Sequence, residues 1–121
     1  MKSFAVLGLA AMPALAAPQL QGVAVMPNPV PFQADKTPEV MITVTIERPT
    51  PFDFTCDAAV DPGDGGRELN ISWSMGDRRS KTTRHQYRKP GRYKLTVTGS
   101  GSDPCGGKRE VMVTVRKPPG K

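Results

Sequence analysis

The sequence predicts an all-β fold, an antiparallel β-sandwich of six to seven short strands. Apolar side chains recur at every second position, most clearly at Val40, Ile42, Val44 and Ile46, which is the period of a strand with one buried face. Runs of Gly, Pro and Asp separate these segments, and none of the segments has the 3.6-residue apolar period of a helix. Short alternating strands joined by turn signals are typical of sandwiches.

The alternating segments give the strands in chain order. They predict strands at 21–26, 40–46, 52–56, 69–75, 85–87, 92–98 and 111–115. Prolines at 27, 29 and 31 end the first strand because proline lacks the amide proton of a strand ladder. A dense run of turn residues at 61–66 lies within an expected turn at 58–67, and a basic loop is expected between Asp77 and His85.

The chain begins with the features of a signal peptide. Lys2 supplies a short positive region, Phe4–Met12 is an apolar run too short to span a bilayer, and residues 14–16 read Ala-Leu-Ala, the small-x-small pattern of a cleavage site. We therefore expect residues 1–16 to be removed and the protein to be secreted or periplasmic. A retained membrane anchor is the alternative, which the short apolar run disfavours.

The remainder is expected to form a single domain with two flanking segments. Residues 17–38 are predicted as a proline-rich arm with a possible edge strand, 39–116 as the sandwich, and 117–121 as a basic tail. No other stretch is apolar enough to cross a membrane.

Cys56 and Cys105 are the two cysteines of the chain. An exported chain meets an oxidising compartment, so one disulfide between them is expected. A two-cysteine metal site or a catalytic thiol is the alternative. The presence of one histidine and the lack of a Cys-x-x-Cys spacing disfavour it.

Four short motifs follow one another between residues 61 and 97. They read Asp61-Pro-x-Asp-Gly, Trp73-Ser-Met-Gly-Asp77, His85-x-Tyr87 and Gly91-x-Tyr93-x-Leu95-x-Val97. Their order and spacing, over about residues 40–116, resemble a PKD (polycystic kidney disease) domain, a family similar to the immunoglobulin sandwich. The usual core string of that family is Trp-Asp-Phe-Gly-Asp-Gly. Ser74, Met75 and Arg78 depart from it, so the turn after Asp77 is expected to differ in geometry.

The resemblance implies an immunoglobulin-like β-sandwich in which the motif residues have structural roles. These residues are Trp73, Gly76, Asp77, His85, Tyr87, Gly91 and Tyr93. Trp73 is expected to fill the space between the sheets, and a tyrosine hydroxyl to reach a backbone partner. In such a sandwich the turn at 58–67 and the loop at 99–107 would lie at one end, so the disulfide would join them there.

The sequence lacks the motifs that would indicate catalytic or metal chemistry. The chain has no nucleophile motif and no glycine loop of the phosphate-binding kind, and His85 is its sole histidine. We therefore expect a non-enzyme without a cofactor. Asp57, Asp61 and Asp64 are oxygen donors that could hold calcium, but they match no calcium-loop consensus and are better explained as turn residues.

Positive charge is concentrated just after the tryptophan motif. The candidate patch for an anionic partner consists of Arg78, Arg79, Lys81, Arg84, Arg88 and Lys89. The alternative is a solvated surface that keeps the protein soluble. Nucleic acid is a disfavoured partner because the protein is expected to be exported and the nearby tyrosines belong to the core.

These observations predict an exported, non-enzymatic binding module that contacts a cell-surface or periplasmic protein or an anionic glycan. Two alternatives remain open. One is a small inhibitor of an exported enzyme, which would present the 78–89 loop to an active site. The other is a subunit of an envelope assembly, which would dock through the arm at 17–38.

Overall fold

A computed structural model describes residues 18–31, 37–47, 55–74 and 76–117. The strands are β1 (Gln19–Met26), β2 (Glu39–Glu47), β3 (Cys56–Asp61), β4 (Leu69–Trp73), β5 (Ser80–Gln86), β6 (Gly91–Gly99) and β7 (Lys108–Val115). All pairings between these strands are antiparallel. Within the described ranges, no helix has the length and apolar character needed to cross a membrane.

Some predictions fall outside the described residues. They concern the signal peptide at 1–16, the strand positions Phe52 and Phe54, Met75 in the tryptophan motif, and residues 118–121 of the tail.

Two sheets form the predicted sandwich. One has three strands in the order β1-β2-β5, and the other has four in the order β4-β3-β6-β7. The predicted all-β antiparallel sandwich of six to seven strands is therefore confirmed.

The core lies between the sheets and contains the alternating apolar residues. Val40, Ile42, Val44 and Ile46 of β2 are completely buried, because every second side chain of a strand points to the same face. Trp73 is 1% exposed. Its indole Nε1 donates a hydrogen bond to a backbone carbonyl at 3.0 Å, so burial leaves no polar atom of this ring unsatisfied.

β3 and β5 differ most from the sequence prediction. β3 begins at Cys56 instead of ending there, because Ala58 and Val60 continue the buried face and the strand runs on to Asp61. The turn after β3 consequently covers 62–68. Residues 80–86, predicted mostly as a basic loop, form β5, because each of them has a pairing partner in β2.

The described part of the predicted N-terminal arm belongs to the sandwich. β1 pairs with β2 along its length, and Leu20 and Val25 enter the core. The chain then crosses to the other sheet, where Val30 bridges Val115 of β7 and is itself buried. The possible edge strand of the predicted arm is therefore β1, at the edge of the three-stranded sheet, and Leu20, Val25 and Val30 of the described stretch 18–31 lie in the core.

The predicted disulfide between Cys56 and Cys105 is present, with Cα atoms 4.9 Å apart. It joins the start of β3 to the β6–β7 loop (100–107), whose backbone also bonds to Asp57. The amide nitrogens of Ser100 and Cys105 each donate to the Asp57 carbonyl at 3.0 Å. We call this end of the sandwich the disulfide pole.

The expected meeting of the two loops at that pole is wrong. Ala58 at the start of β3 pairs with Gly99 at the end of β6. β3 then runs away from the disulfide to Asp61, which pairs with Thr96, before its turn at 62–68. The bridge does staple one pole, but the 62–68 turn lies at the other.

Candidate binding groove

A groove of about 760 Å³ opens at the pole opposite the disulfide. Three segments surround it: the β3–β4 loop (62–68), the β5–β6 turn (87–90), and the end of β5 beside the start of β2. We call it the basic groove. Its titratable lining residues are Glu39, Asp64, Arg67, Arg84, His85, Arg88, Lys89 and Tyr93.

One wall of the groove is organised by Asp64 and His85. Asp64 Oδ2 lies 2.8 Å from His85 Nε2, and Asp64 Oδ1 accepts a hydrogen bond of 2.9 Å from the Gly66 amide. The two paired side chains are only 18% and 14% exposed. Burial by itself raises the pKa of Asp64, but the hydrogen bonds from His85 and Gly66 outweigh it and leave this pKa below its ordinary value. Asp64 is thus a carboxylate whose two oxygens are both engaged.

A set of stacked rings connects the walls. The His85 and Tyr87 rings meet in a T-shaped arrangement, with centroids 4.6 Å apart, and Tyr87 stacks on Tyr93 at the same distance. The buried Tyr87 hydroxyl donates to the Pro62 carbonyl at 2.9 Å, and the Tyr93 hydroxyl donates to the Lys89 carbonyl at 2.5 Å. The rings therefore hold the β3–β4 loop and the β5–β6 turn in fixed relation.

Burial also sets the titration of the two phenols. It raises the pKa of Tyr87 well above the ordinary value, and the nearby charge of Asp64 raises it further. The pKa of Tyr93 is raised by the same two causes. Both hydroxyls therefore remain protonated donors at neutral pH.

The cations of the groove outnumber its available carboxylates. Arg67, Arg88 and Lys89 are exposed and form no ion pair with any described residue. Arg84 lies 3.9 Å from Glu39, but both side chains are largely solvated, so the pair is weak. Guanidinium groups facing solvent in a concave site can bind carboxylate, sulfate or phosphate in a bidentate manner.

The six-residue patch predicted from the sequence is not a compact surface. Arg84, Arg88 and Lys89 line the groove, whereas Arg78, Arg79 and Lys81 lie at or beside the β4–β5 turn of the disulfide pole. Lys81 Nζ is paired there with Asp77 Oδ2 at 3.0 Å. Because residues 80–86 form a strand, they also do not make the protruding loop that the inhibitor alternative requires.

Two features of the groove were missed in the sequence. Arg67 lies outside the basic stretch at 78–89, and the local sequence around Asp64 indicates a turn residue or a calcium ligand. The sandwich topology brings the 62–68 and 87–90 turns to one pole. Placing Asp64 and Arg67 in the groove therefore requires the end of β3 to be at Asp61.

The remaining motif residues shape turns. Asp77 Oδ2 accepts from the Ser74 amide at 2.7 Å, and the Asp77 amide donates to the Ser74 carbonyl at 3.0 Å. Gly76 between them has φ +87°, a conformation that favours glycine. Such a closed turn provides a sharp exit from β4.

The three aspartates considered as calcium ligands have different partners. Asp57 accepts from the Ser72 hydroxyl at 2.6 Å, and Asp61 accepts from the Gly63 amide at 2.9 Å. In the part of the chain that the structure describes, no three His, Cys, Asp or Glu side chains are grouped so as to hold a metal ion.

The two sheets, the disulfide and the non-polar core define an immunoglobulin-like β-sandwich. The family model of the PKD domain matches residues 39–107, more than half of the chain, and the protein belongs to this family. PKD domains are non-catalytic modules, typically extracellular and of the binding type, and a disulfide fits an oxidising compartment. Comparison with curated proteins and with solved structures finds no match.

Proposed function

We propose that this protein is exported after removal of residues 1–16 and acts as a non-enzymatic binding module in a secreted or periplasmic location. Family membership and the disulfide support this, together with the positive, apolar and small-x-small regions at the start of the chain. Mass spectrometry of the exported protein should find a start near Ala17. A retained Met1 would contradict the export.

The basic groove is the proposed contact surface, and its ligand is an acidic group on a cell-surface or periplasmic protein or glycan. The observation that carries this proposal is the imbalance of charge in a concave site. Four cations line the groove against two carboxylates, and each carboxylate already faces a basic side chain of the protein itself. The remaining positive potential attracts and orients an anion.

The rings beneath the groove favour binding because they reduce the ordering that a ligand must impose. Tyr87 is buried and fixed by its hydrogen bond to the β3–β4 loop, and Tyr93 is stacked on it. The loop and the turn that carry Arg67 and Arg88 are therefore positioned before any ligand arrives, which improves affinity.

Matched charge reversals test the groove. The variant Arg67→Glu/Arg88→Glu changes two groove cations, and Arg92→Glu/Arg116→Glu makes the same change of net charge at two exposed positions that do not line the groove. Each immobilised protein is incubated with an envelope or secreted extract of its host, and the captured partner is eluted with increasing salt.

We expect the groove variant to lose about tenfold or more of its partner affinity, and the control to lose less than about twofold. Binding should also weaken with salt because the contact is electrostatic. Equal losses in the two variants would mean that only net charge matters, and no loss in either would exclude the groove as the contact surface.

A further inference from the structure

The two sheets of the sandwich are connected differently along its two long sides, the β1–β7 side and the β4–β5 side. On the side of β1 and β7, the bridges Gln19–Gly106 and Val30–Val115 join the sheets. On the side of β4 and β5, no backbone hydrogen bond links the two strands among the residues that the structure describes. The link found there is the Trp73 indole donating to the Arg79 carbonyl. β5 is therefore an edge strand with an open side.

The hydrogen-bond register shows which backbone groups face that open side. The Ile46 amide donates to the Arg79 carbonyl at 3.1 Å, and the Tyr87 amide donates to the Pro38 carbonyl at 3.0 Å. In an antiparallel pair, residues bonded to the neighbouring strand alternate with residues that are not. The register with β2 is continuous, so the residues whose N–H and C=O point away from β2 are Ser80, Thr82, Arg84 and Gln86.

Among the residues that the structure describes, no strand pairs with the open side of β5. Natural edge strands are shielded by proline, by bulges or by a covering segment. β5 contains no proline, and its pairing with β2 runs without a bulge. What protects β5 is charge, which opposes pairing with a second copy of the same basic edge but favours pairing with an acidic strand.

The cations follow the edge and alternate between its two faces. Lys81 pairs with Val44 and therefore lies on the core side of the sheet, whereas Arg84 pairs with Met41 on the outer side. The turns at either end of the strand add the other four cations of the segment, Arg78, Arg79, Arg88 and Lys89. A compact anion could reach one face, but a strand that pairs with β5 presents side chains to both.

We propose that β5 binds an extended acidic segment of a partner protein, which adds a fourth strand to the β1-β2-β5 sheet. The backbone groups of Ser80, Thr82, Arg84 and Gln86 would bond to the incoming strand, and its carboxylates would face Lys81 and Arg84. This inference rests on the proposed function in one respect, the acidic character of the partner.

The test uses a synthetic peptide and one backbone variant. The probe is a fluorescein-labelled peptide of about ten residues that repeats Thr-Thr-Glu-Glu, so that carboxylates lie on both faces of the added strand, and it is long enough to span β5. Thr82→Pro removes an outward N–H, while Thr82→Ala removes the same hydroxyl contact with Thr43 and keeps the N–H. Proline is tolerated where an edge N–H faces solvent, and circular dichroism with thermal melting checks that the variant folds.

By fluorescence anisotropy at low salt we expect wild type and Thr82→Ala to bind alike, within about twofold, and Thr82→Pro to bind about tenfold more weakly. Should Thr82→Pro fail to fold, the wild-type protein is titrated with the same peptide methylated on every backbone nitrogen. That peptide keeps its charge but cannot donate hydrogen bonds, and we expect the same loss.

Undiminished binding in these tests, or no binding of the peptide by the wild type, would overturn strand addition. The variant Arg67→Glu/Arg88→Glu separates this result from the groove. If it loses its partner while Thr82→Pro keeps both peptide and partner, the groove proposal stands and strand addition fails. If Thr82→Pro alone loses them, strand addition stands and the groove is not the contact surface.

Discussion

Tyr87 and Tyr93 provide a matched pair for testing how the walls of the basic groove are held. Both are in van der Waals stacking contact with each other, and each hydroxyl donates one hydrogen bond to a backbone carbonyl. Tyr87 is completely buried, whereas the Tyr93 hydrogen bond is exposed. A Tyr→Phe change removes the same single atom from each, so burial is the main difference between the two variants.

The expected loss in free energy of unfolding depends on whether water can reach the carbonyl that has lost its hydrogen bond. In Tyr87→Phe the acceptor is the carbonyl of the buried Pro62, which water cannot readily reach, so the loss should be about 1–3 kcal/mol. In Tyr93→Phe water can replace the hydroxyl at the Lys89 carbonyl, and we expect about 0.5 kcal/mol or less. For a domain of this size, about 1 kcal/mol corresponds to a change in Tm of roughly 4–8 °C.

Urea unfolding followed by Trp73 fluorescence, with the disulfide kept oxidised, measures both free energies of unfolding. Trp73 is a suitable probe because it is buried between the sheets. Equal losses in the two variants, or a larger loss in Tyr93→Phe, would contradict the burial argument. An unchanged slope with urea concentration would show that each variant unfolds from the same compact state.

Three further changes test other parts of the fold. Reduction of the disulfide, whose cysteines are 49 residues apart, should lower the free energy of unfolding by about 4 kcal/mol, measured in urea with and without reductant; no change would contradict this. Asp64→Asn should lower the Tm at neutral pH. The difference in Tm from wild type should shrink as pH falls below 3.8, because the pKa of Asp64 is lowered in the folded state and protonation removes its contribution to stability. Thermal melts between about pH 7 and 2 that show a constant difference would refute this. Gly63→Ala should lower the Tm more than Gly65→Ala, since both glycines have positive φ but only at Gly63 would a Cβ meet the Lys94 backbone; equal shifts would contradict this.

The strands that could be predicted from sequence are those with an apolar inward face. β2 and β6 carry β-branched or aliphatic side chains at alternate positions, and this pattern is local. β5 has Lys81, Thr83 and His85 at the corresponding positions, so its local sequence indicates a loop. It is a strand because β2 offers a complete register of partners, which is long-range information.

The candidate site was predictable only in part, for a similar reason. The stretch that holds Arg84, Arg88 and Lys89 stands out in the sequence by its charge. The contact of His85 with Asp64 joins residues 21 positions apart, and Arg67 reaches the groove only because two turns meet at one pole. Neither contact depends on a local pattern. Both also require β3 to end at Asp61, whereas the sequence predicts a strand that ends at Cys56.

The N-terminal segment crosses between the sheets, and this limits how far a recombinant fragment of the protein can be shortened. A fragment trimmed to the range matched by the family model, 39–107, would lack β1, Val30 and β7. β2 and β6 would each lose a neighbouring strand, and Leu20 and Val113 would be removed from the core. The range matched by the family model is therefore narrower than the sandwich, and a recombinant form of the domain should retain at least residues 18–116.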